Sequence, residues 1–243
     1  MQLTNHTILI TGGTSGIGYA LGLALLKKDN TVILLGRNPE KLAAAEKEGF
    51  LTLRCDLANL EEVEKAVVTL QNDYPGLNML FNNAGVQYNY LYAEEVVAPE
   101  KIAREVAINL TGQLVLTQQL IPLLSTAERA MIVNTTSGLG AYAKPDGLVY
   151  SATKGAMRNF TQGLRDALRD TPIRVLEFIP PVTASAMTAH RPGQKMSPAE
   201  LVDRVLPQLE KERAIATVPA IRVFLWIAAR FPKLAARILS RQD

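Results

Sequence analysis

Short stretches rich in β-branched and apolar residues alternate along the chain with helical patterns, and this alternation constrains the fold more than any other feature. Alternating strands and helices are typical of βαβ units, whose right-handed crossovers place parallel strands in one sheet with helices on both faces. The sequence therefore predicts one α/β domain over residues 1–243 with a doubly wound parallel sheet. The predicted strands are 7–11, 31–35, 50–54, 78–81, 131–135 and 173–179, and the predicted helices are 17–28, 39–48, 60–71, 99–124 and one that contains Tyr150 and ends near Arg169.

The composition narrows the class of protein. Hydrophobic residues make up 48% of the chain and charged residues 20%, a balance typical of soluble globular proteins. The net charge is only +3 and no long run of Lys or Arg occurs, so nothing indicates a nucleic-acid partner. A single cysteine, Cys55, excludes an intrachain disulfide, and two widely separated histidines disfavour a metal site. Without a signal-peptide pattern or a membrane-spanning run, we expect a cytoplasmic protein.

The first predicted strand runs directly into a glycine-rich turn and then into a helix. Glycine allows a tight turn and a close approach of backbone N–H groups to a ligand, and the N-terminus of a helix attracts phosphate. We therefore expect this Rossmann-type turn to bind the pyrophosphate of a dinucleotide; a glycine-rich turn without a ligand is the alternative. The predicted contacts are Gly12, Thr14, Ser15, Gly16, Ile17 and Gly18.

The end of the second predicted strand indicates which dinucleotide binds. A site for NAD usually has an acidic residue there, which binds the ribose 2′-hydroxyl. Here the residues are Gly36, Arg37 and Asn38, and the guanidinium of Arg37 suits a 2′-phosphate because its N–H groups pair with phosphate oxygens in a two-pronged geometry. We therefore expect NADP(H), with NADPH preferred over NADH. The alternatives are an Arg37 that only solvates a surface turn and an NAD-linked enzyme.

Three polar residues in the second half of the chain form a candidate catalytic group. Tyr150 and Lys154 are four residues apart, so on a helix they share one face, and Ser137 follows the fifth predicted strand. A free tyrosine has a pKa of about 10. A nearby ammonium stabilises the phenolate and lowers that pKa, which favours proton exchange with a carbonyl or alcohol oxygen. A Tyr-x-x-x-Lys pair also occurs on ordinary solvated helix faces, so the pair alone does not establish a site.

Together these motifs resemble those of the short-chain dehydrogenase/reductase family, over residues 6 to 190. Several motifs in register carry far more weight than any one of them. In the family's order they are the TGxxxGIG loop at 11–18, the short Asp motif at Asp56-Leu57, the NNAG motif at Asn82-Asn83-Ala84-Gly85, the active-site asparagine at Asn109, the catalytic serine at Ser137 and the YxxxK motif at Tyr150 and Lys154.

The resemblance implies a role for each of these residues. Tyr150 is expected to be the general acid in reduction and the base in oxidation, and Lys154 to bond the nicotinamide ribose and lower the pKa of the tyrosine. Ser137 is expected to orient the substrate oxygen, and Asn109 to hold a water that links Lys154 to solvent. The family's cofactor contacts fall on Asp56 and Leu57, which would hold the adenine, and on Asn83, Ala84 and Gly85.

One segment departs from the family pattern. After the sixth predicted strand the chain has Pro180-Pro181-Val182-Thr183-Ala184-Ser185, where the family commonly has Pro-Gly. The resemblance places the nicotinamide carboxamide here, against Pro180, Val182, Thr183 and Ser185, with Ser185 in place of a family threonine. Pro181 lacks an N–H, which reduces the backbone contacts available. The Pro-Pro variant and the C-terminal pattern are similar to a bacterial subgroup called DltE-like oxidoreductases.

The remaining residues are less constrained. Residues 183–215 are expected to form a substrate lid, in which His190 and Arg191 either meet an acidic substrate or lie in an exposed loop. Residues 220–240 are predicted to form a basic amphipathic helix that is interrupted at Pro232 and followed by Arg241. Four alternatives remain open for this helix: it packs on its own domain, covers the substrate pocket, joins subunits, or lies on an anionic membrane surface. A partly aromatic substrate site is suggested by Tyr88, Tyr90, Tyr92, Leu139 and Tyr142.

The sequence thus predicts an NADP(H)-dependent oxidoreductase that acts on a small-molecule carbonyl or alcohol, assembled as a homodimer or homotetramer. The alternative is an NADP(H)-binding regulatory or scaffold protein that uses the same fold without turnover, because a fold by itself does not fix a function. The motifs identify neither the physiological substrate nor the direction of the reaction.

Overall fold

The structure, a computed structural model, describes residues 1–191 and 193–240. Within these residues the strands form one seven-stranded parallel sheet in the order β3-β2-β1-β4-β5-β6-β7. The predicted doubly wound α/β sheet is confirmed. The strands are β1 (Thr7–Thr11), β2 (Thr31–Gly36), β3 (Leu51–Arg54), β4 (Leu77–Asn82), β5 (Ala130–Thr135), β6 (Ile173–Ile179) and β7 (Ile215–Thr217), and the helices are α1 (Gly16–Leu26), α2 (Pro39–Glu46), α3 (Leu60–Asp73), α4 (Pro99–Val106), α5 (Gly112–Leu124), α6 (Leu148–Ala167), α7 (Pro198–Glu210), α8 (Pro219–Arg230) and α9 (Pro232–Ser240).

The sheet is buried on both faces, which explains why its central strands are continuous apolar runs. Ile8, Leu9 and Ile10 of β1 are fully buried. Helices α1 and α7 cover one face of the sheet and α3 and α5 cover the other, each with its own apolar cluster. The chain moves outward from β1 through β2 and β3, then returns to place β4 on the other side of β1. The crevice between β1 and β4 is the topological switch point, where such sheets bind ligands.

The long helix predicted over 99–124 is divided. Helix α4 ends at Val106, a π-helical segment follows over Ala107–Thr111, and α5 continues from Gly112. π-Helical turns inside α-helices often occur at functional sites because the extra residue redirects side chains. The segment contains Asn109, the residue that matches the family's active-site asparagine.

The region predicted as a lid, 183–215, contains part of the core. Its second half forms α7, whose Leu201, Val205 and Leu209 are fully buried in the apolar cluster shared with α1. Strand β7 then pairs with β6 and extends the sheet. Neither α7 nor β7 was predicted from the sequence. Only the segment before α7 is free to line a ligand site.

The C-terminal basic pattern forms two helices instead of one. Helix α8 ends at Arg230, and Pro232 is the first residue of α9, because proline cannot supply the N–H that would continue α8. Arg241, the last basic residue of the predicted pattern, lies outside the described residues. In the part of the chain that the structure describes, none of the helices is both long enough and apolar enough to cross a membrane.

Candidate active site

The structure brings Ser137, Tyr150 and Lys154 together at the carboxyl end of the sheet. Ser137 follows β5 and lines the same cleft as Tyr150, where hydrogen bonding to its side chain acts to lower the pKa of the phenol. The Lys154 ammonium lies 5.7 Å from the centre of the Tyr150 ring, and it donates a hydrogen bond of 2.8 Å to the carbonyl of Thr135. That carbonyl belongs to the last residue of β5, so the strand positions both the serine and the lysine.

Burial dominates the electrostatics of this group. It raises the pKa of Tyr150 to about 12, although the hydrogen bond with Ser137 and the charge of Arg191 act in the opposite direction. Burial also lowers the pKa of Lys154 to about 8, since its side chain is only 2% exposed. The lowered tyrosine pKa expected from the sequence is therefore not found, because burial of the phenol outweighs the nearby positive charge. A tyrosine with this pKa holds its proton at neutral pH.

Asn109 is fully buried beside Lys154. Its Oδ1 accepts the N–H of Val86 and its Nδ2 donates to the carbonyl of Val86, both at 2.8 Å. A Cβ added to Gly85 would lie 3.5 Å from Asn109 Oδ1 and 3.7 Å from Lys154 Nζ, so both side chains end at this glycine. Asn109 thus fixes the backbone after the NNAG motif, next to the lysine. Its role in a proton path stays a prediction.

The NNAG motif joins the first strand to the fourth. The Thr11 hydroxyl accepts the N–H groups of Asn83 at 2.9 Å and of Ala84 at 3.0 Å, and the Asn83 amide donates to the Thr11 carbonyl. A Cβ on Gly12 would lie only 2.7 Å from the Cα of Ala84. The glycine is required there because the two turns at the switch point touch through their backbones.

The turn between β1 and α1 fits a pyrophosphate. Gly12 and Gly16 have φ values of +63° and +57°, which favour glycine, and a Cβ on Gly18 would lie 2.5 Å from the Gly12 carbonyl oxygen. Ser15 is the N-cap of α1, and among the described residues its side chain caps no first-turn N–H. Those N–H groups are left to bind an anion. Ile17 lines the adjacent cleft, and Thr14 packs against Gly36 at the end of β2.

Two arginines meet Asp56 beyond the ends of β2 and β3. Arg37 is 55% exposed, and its Nη1 lies 3.9 Å from Asp56 Oδ2, whereas Arg104 Nη2 lies 2.7 Å from the same oxygen. Burial opposes ionisation of Asp56, but these hydrogen bonds and charges together lower its pKa. Leu57 is buried next to Gly112, where a Cβ would lie 2.1 Å from the Leu57 carbonyl oxygen. Arg104, which was not predicted from the sequence, comes from α4 and lies 48 residues after Asp56 in the chain.

The segment after β6 is ordered by its own side chains. Thr183 is buried and its hydroxyl donates to the Pro181 carbonyl at 2.9 Å. The N–H of Ser185 donates to the Thr188 hydroxyl, which in turn donates to the Thr183 carbonyl at 2.6 Å. A Cβ on Gly16 would lie 3.5 Å from the Cβ of Ser185, so this segment borders the glycine-rich turn. Pro180, Val182, Thr183 and Ser185 all line the cleft described next.

A cleft of about 410 Å³ opens beside Tyr150. Ser137, Gly138 and Leu139 form one wall, and Ile221, Phe224 and Ile227 of α8, with Ile238 and Leu239 of α9, form another. The C-terminal helices therefore cover this cleft, as one of the alternatives held. The aromatic site suggested by the sequence is not found: of its five residues only Leu139 lines the cleft, while Tyr92 and Tyr142 line a separate hollow and Tyr88 and Tyr90 lie beside Lys101.

His190 and Arg191 occupy different environments. His190 is exposed, whereas Arg191 is partly buried, lines the cleft and donates a hydrogen bond of 2.9 Å to Gln87 Oε1. Gln87, which was not singled out from the sequence, also lines the cleft. Among the described residues, no group of His, Cys, Asp and Glu side chains is arranged to hold a metal ion.

Comparisons with known proteins agree with this geometry. A family model described as short chain dehydrogenase matches residues 6–195. A protein of Bacillus subtilis (strain 168) named uncharacterized oxidoreductase DltE is 35% identical over 77% of this chain and 75% of its own length. Serine 3-dehydrogenase of Agrobacterium fabrum is 34% identical over 77% of this chain and 76% of its own length.

A solved structure provides the corresponding comparison of folds. The crystal structure of a short chain dehydrogenase from Burkholderia cenocepacia in complex with NADP is 26% identical and superposes with a TM-score of 0.86, covering 98% of this chain and 99% of that one. This chain belongs to the short-chain dehydrogenase family of oxidoreductases.

Proposed function

We propose that the protein is an NADP(H)-dependent oxidoreductase that interconverts a carbonyl compound and the corresponding alcohol. The observation that carries this proposal is the placement of Ser137 and Tyr150 on one largely apolar cleft, with the Lys154 ammonium 5.7 Å from the centre of the tyrosine ring. Bound NADPH supplies a hydride to the carbonyl carbon, and a proton completes the conversion of C=O into CH–OH. The protein provides that proton and the positioning.

Each side chain of the group has a task that its surroundings support. Tyr150, which holds its proton at neutral pH, gives it to the substrate oxygen and takes it back in the reverse direction. Ser137 donates a hydrogen bond to the same oxygen. The buried Lys154 ammonium stabilises the charge left on Tyr150, and Asn109 and the Thr135 carbonyl hold the neighbourhood of that ammonium in place.

The preference for NADPH is supported by charge beyond β2. Arg37 reaches solvent there beside Arg104, and the single carboxylate of Asp56 is shared between them. Two guanidinium groups around one carboxylate leave positive charge for a 2′-phosphate. The solved relative from Burkholderia cenocepacia, which is bound to NADP, supports the same choice. The Agrobacterium relative, named for a dehydrogenase reaction on serine, supports an alcohol as the oxidised substrate.

Substitution of Tyr150 tests the reaction. We expect Tyr150→Phe to lower kcat for NADPH oxidation by at least about 100-fold on any carbonyl compound that the native protein reduces, because the proton donor is lost. NADPH binding, followed by fluorescence titration, should be retained. Tyr142→Phe is the matched control, since Tyr142 lies outside the cleft. Full turnover by the Tyr150 variant would overturn the mechanism.

The alternative, a cofactor-binding protein without turnover, predicts a different outcome. Such a protein binds NADPH but leaves it unoxidised across a broad panel of aldehydes and ketones. The retention of Asn109, Ser137, Tyr150 and Lys154 in one contiguous site favours the enzyme.

Substitution of Arg37 tests the cofactor preference. We expect Arg37→Ala to lower kcat/KM for NADPH by about 10- to 100-fold, the range for loss of a charge-assisted pair, and to leave kcat/KM for NADH nearly unchanged. Arg169→Ala is the control, because Arg169 is 71% exposed and lies at the end of α6. If the ratio of kcat/KM for NADPH to kcat/KM for NADH is unchanged in the Arg37 variant, the arginine does not bind the 2′-phosphate.

We further propose that the protein works in the cytoplasm as a homodimer or homotetramer. The single cysteine is buried and burial raises its pKa to about 12, so the fold does not depend on an oxidising compartment. Exposed apolar side chains on α8 and near the start of α9 supply a surface for contact between copies.

A further inference from the structure

Arg191 is held in the cleft in an unusual way for a surface arginine. One terminal nitrogen donates to Gln87 Oε1 at 2.9 Å, and this contact joins the segment after β6 to the loop after β4. Its Nε–H is buried and has no acceptor among residues 1–191 and 193–240. A buried N–H without an acceptor costs free energy. The arrangement is therefore complete only when another group accepts that hydrogen bond.

The cleft offers Arg191 no negative partner. No carboxylate is found among the described residues that line it, and its other charged side chain, Lys144, is also a cation, placed 3.2 Å from Asp146. None of the described acidic side chains forms an ion pair with Arg191. Most of the remaining lining is apolar, including Leu139, Met187 and Phe224. Positive charge in an apolar cleft attracts an anion strongly, because the low local polarity strengthens the pairing.

The guanidinium also faces the same cleft as the reacting hydroxyl. Arg191 and Tyr150 both border that cleft, and the charge of Arg191 acts to lower the pKa of Tyr150. One ligand in the cleft can therefore present an anionic group to Arg191 and an oxygen to Tyr150 and Ser137. The wall formed by α8 leaves room for an apolar remainder.

We propose that the substrate is an oxo acid or hydroxy acid with an apolar body, whose carboxylate is bound by Arg191 a few atoms from the carbon that exchanges hydride. The fork of a guanidinium matches the two oxygens of a carboxylate. Nε–H and a terminal N–H of Arg191 supply that fork, while Gln87 fixes its orientation. This inference rests on the proposed function and specifies the substrate class for the same site.

Matched pairs of substrates test the proposal. NADPH consumption by the full chain is measured on oxo acids of increasing chain length and on their methyl esters, which keep the skeleton and lose the charge. We expect the native protein to prefer the acid, and Arg191→Met to lower kcat/KM for the acid by about 10- to 100-fold, the range for loss of a charge-assisted hydrogen bond. The same variant should lower kcat/KM for the ester by much less than for the acid, so that the preference for the acid is lost, and Arg169→Met should change neither value.

Two outcomes would overturn the assignment. An equal loss on acid and ester would show that Arg191 only maintains the shape of the cleft, and a raised KM for NADPH without a change in acid preference would place the arginine on a cofactor phosphate. A binding measurement separates these failures from a failure of the proposed function. Saturated carboxylic acids that lack an oxo group should bind the NADPH-loaded protein in calorimetry. Arg191→Met should abolish that binding, whether or not any compound is turned over.

Discussion

Glu105 lies one helical turn before Asn109 and is fully buried. One of its carboxylate oxygens accepts the Tyr88 N–H at 3.4 Å, and the other has no partner among the described residues. Burial raises the pKa of Glu105 to about 7, although this N–H and the charge of Lys101 act in the opposite direction. The side chain therefore changes charge near neutral pH, at the end of α4 that leads into the π-helical segment with Asn109.

This pKa predicts a pH dependence of stability. A carboxyl group whose pKa is 4.5 in the unfolded chain and about 7 in the folded protein holds its proton more tightly when folded. Its stabilisation is therefore fully present below pH 4.5 and is lost as the pH rises through 7. We expect the free energy of unfolding of Glu105→Gln to be close to that of the native protein at pH 5. At pH 8 it should exceed the native value by up to about 3 kcal/mol.

Urea denaturation at the two pH values measures this difference. Glu100→Gln is the control because Glu100 is exposed on the same helix, and its free energy of unfolding should follow that of the native protein at both pH values. A difference between Glu105→Gln and the native protein that does not change with pH would show that the buried carboxyl is not the titrating group.

At the scale of elements, much of the secondary structure could be predicted from interactions between neighbouring residues. The strand-turn-helix at Gly12 to Gly18 follows from glycine conformations and helix ends, and the pairing of Tyr150 with Lys154 follows from helical spacing; both are properties of a few neighbouring residues. The parallel, doubly wound sheet likewise follows from alternating strands and helices for its first six strands, whereas β7 was not predicted.

What the sequence could not supply depends on distant contacts. The π-helical segment at Ala107–Thr111 is held by the Gln113 amide, which contacts the carbonyls of Ile108 and Asn109 and, across the switch point, that of Ala84. No periodicity reveals such a contact. The raised pKa of Tyr150 also needs the surrounding fold, because spacing identifies its cationic neighbour but not the burial that outweighs it.

For the same reason, the surface that the C-terminal helices cover could not be predicted from the sequence. An amphipathic pattern shows that a helix has an apolar face, but not which surface that face covers. In the structure, Phe224 and Ile227 of α8 line the cleft beside Tyr150. The first part of the segment expected as a lid, including Thr183 and Arg191, also lines this cleft, and residues after 219 add a further wall.

At the scale of the whole molecule, the outer side of these helices is unusually apolar. Val223 and Trp226 of α8, Phe231 between the two helices and Leu234 of α9 are 45–59% exposed. The Trp226 and Phe231 rings contact each other edge-on with centroids 5.5 Å apart. Such a patch on a protein surface marks a contact with a partner. Because the opposite side of the same helices closes the cleft, a contact between copies would also stabilise the substrate site.

We therefore predict that the double variant Trp226→Ser, Phe231→Ser sediments as a smaller species than the native protein and shows a raised KM for its carbonyl substrate. Val68→Ser is the control, since Val68 is 55% exposed on α3, away from the cleft. Sedimentation velocity at several protein concentrations gives the masses. An unchanged mass in the double variant would contradict a contact between copies. If that variant instead lost cosedimentation with anionic phospholipid vesicles, the patch would be a membrane surface, since Arg222, Arg230, Lys233 and Arg237 supply the positive charge that such a surface attracts.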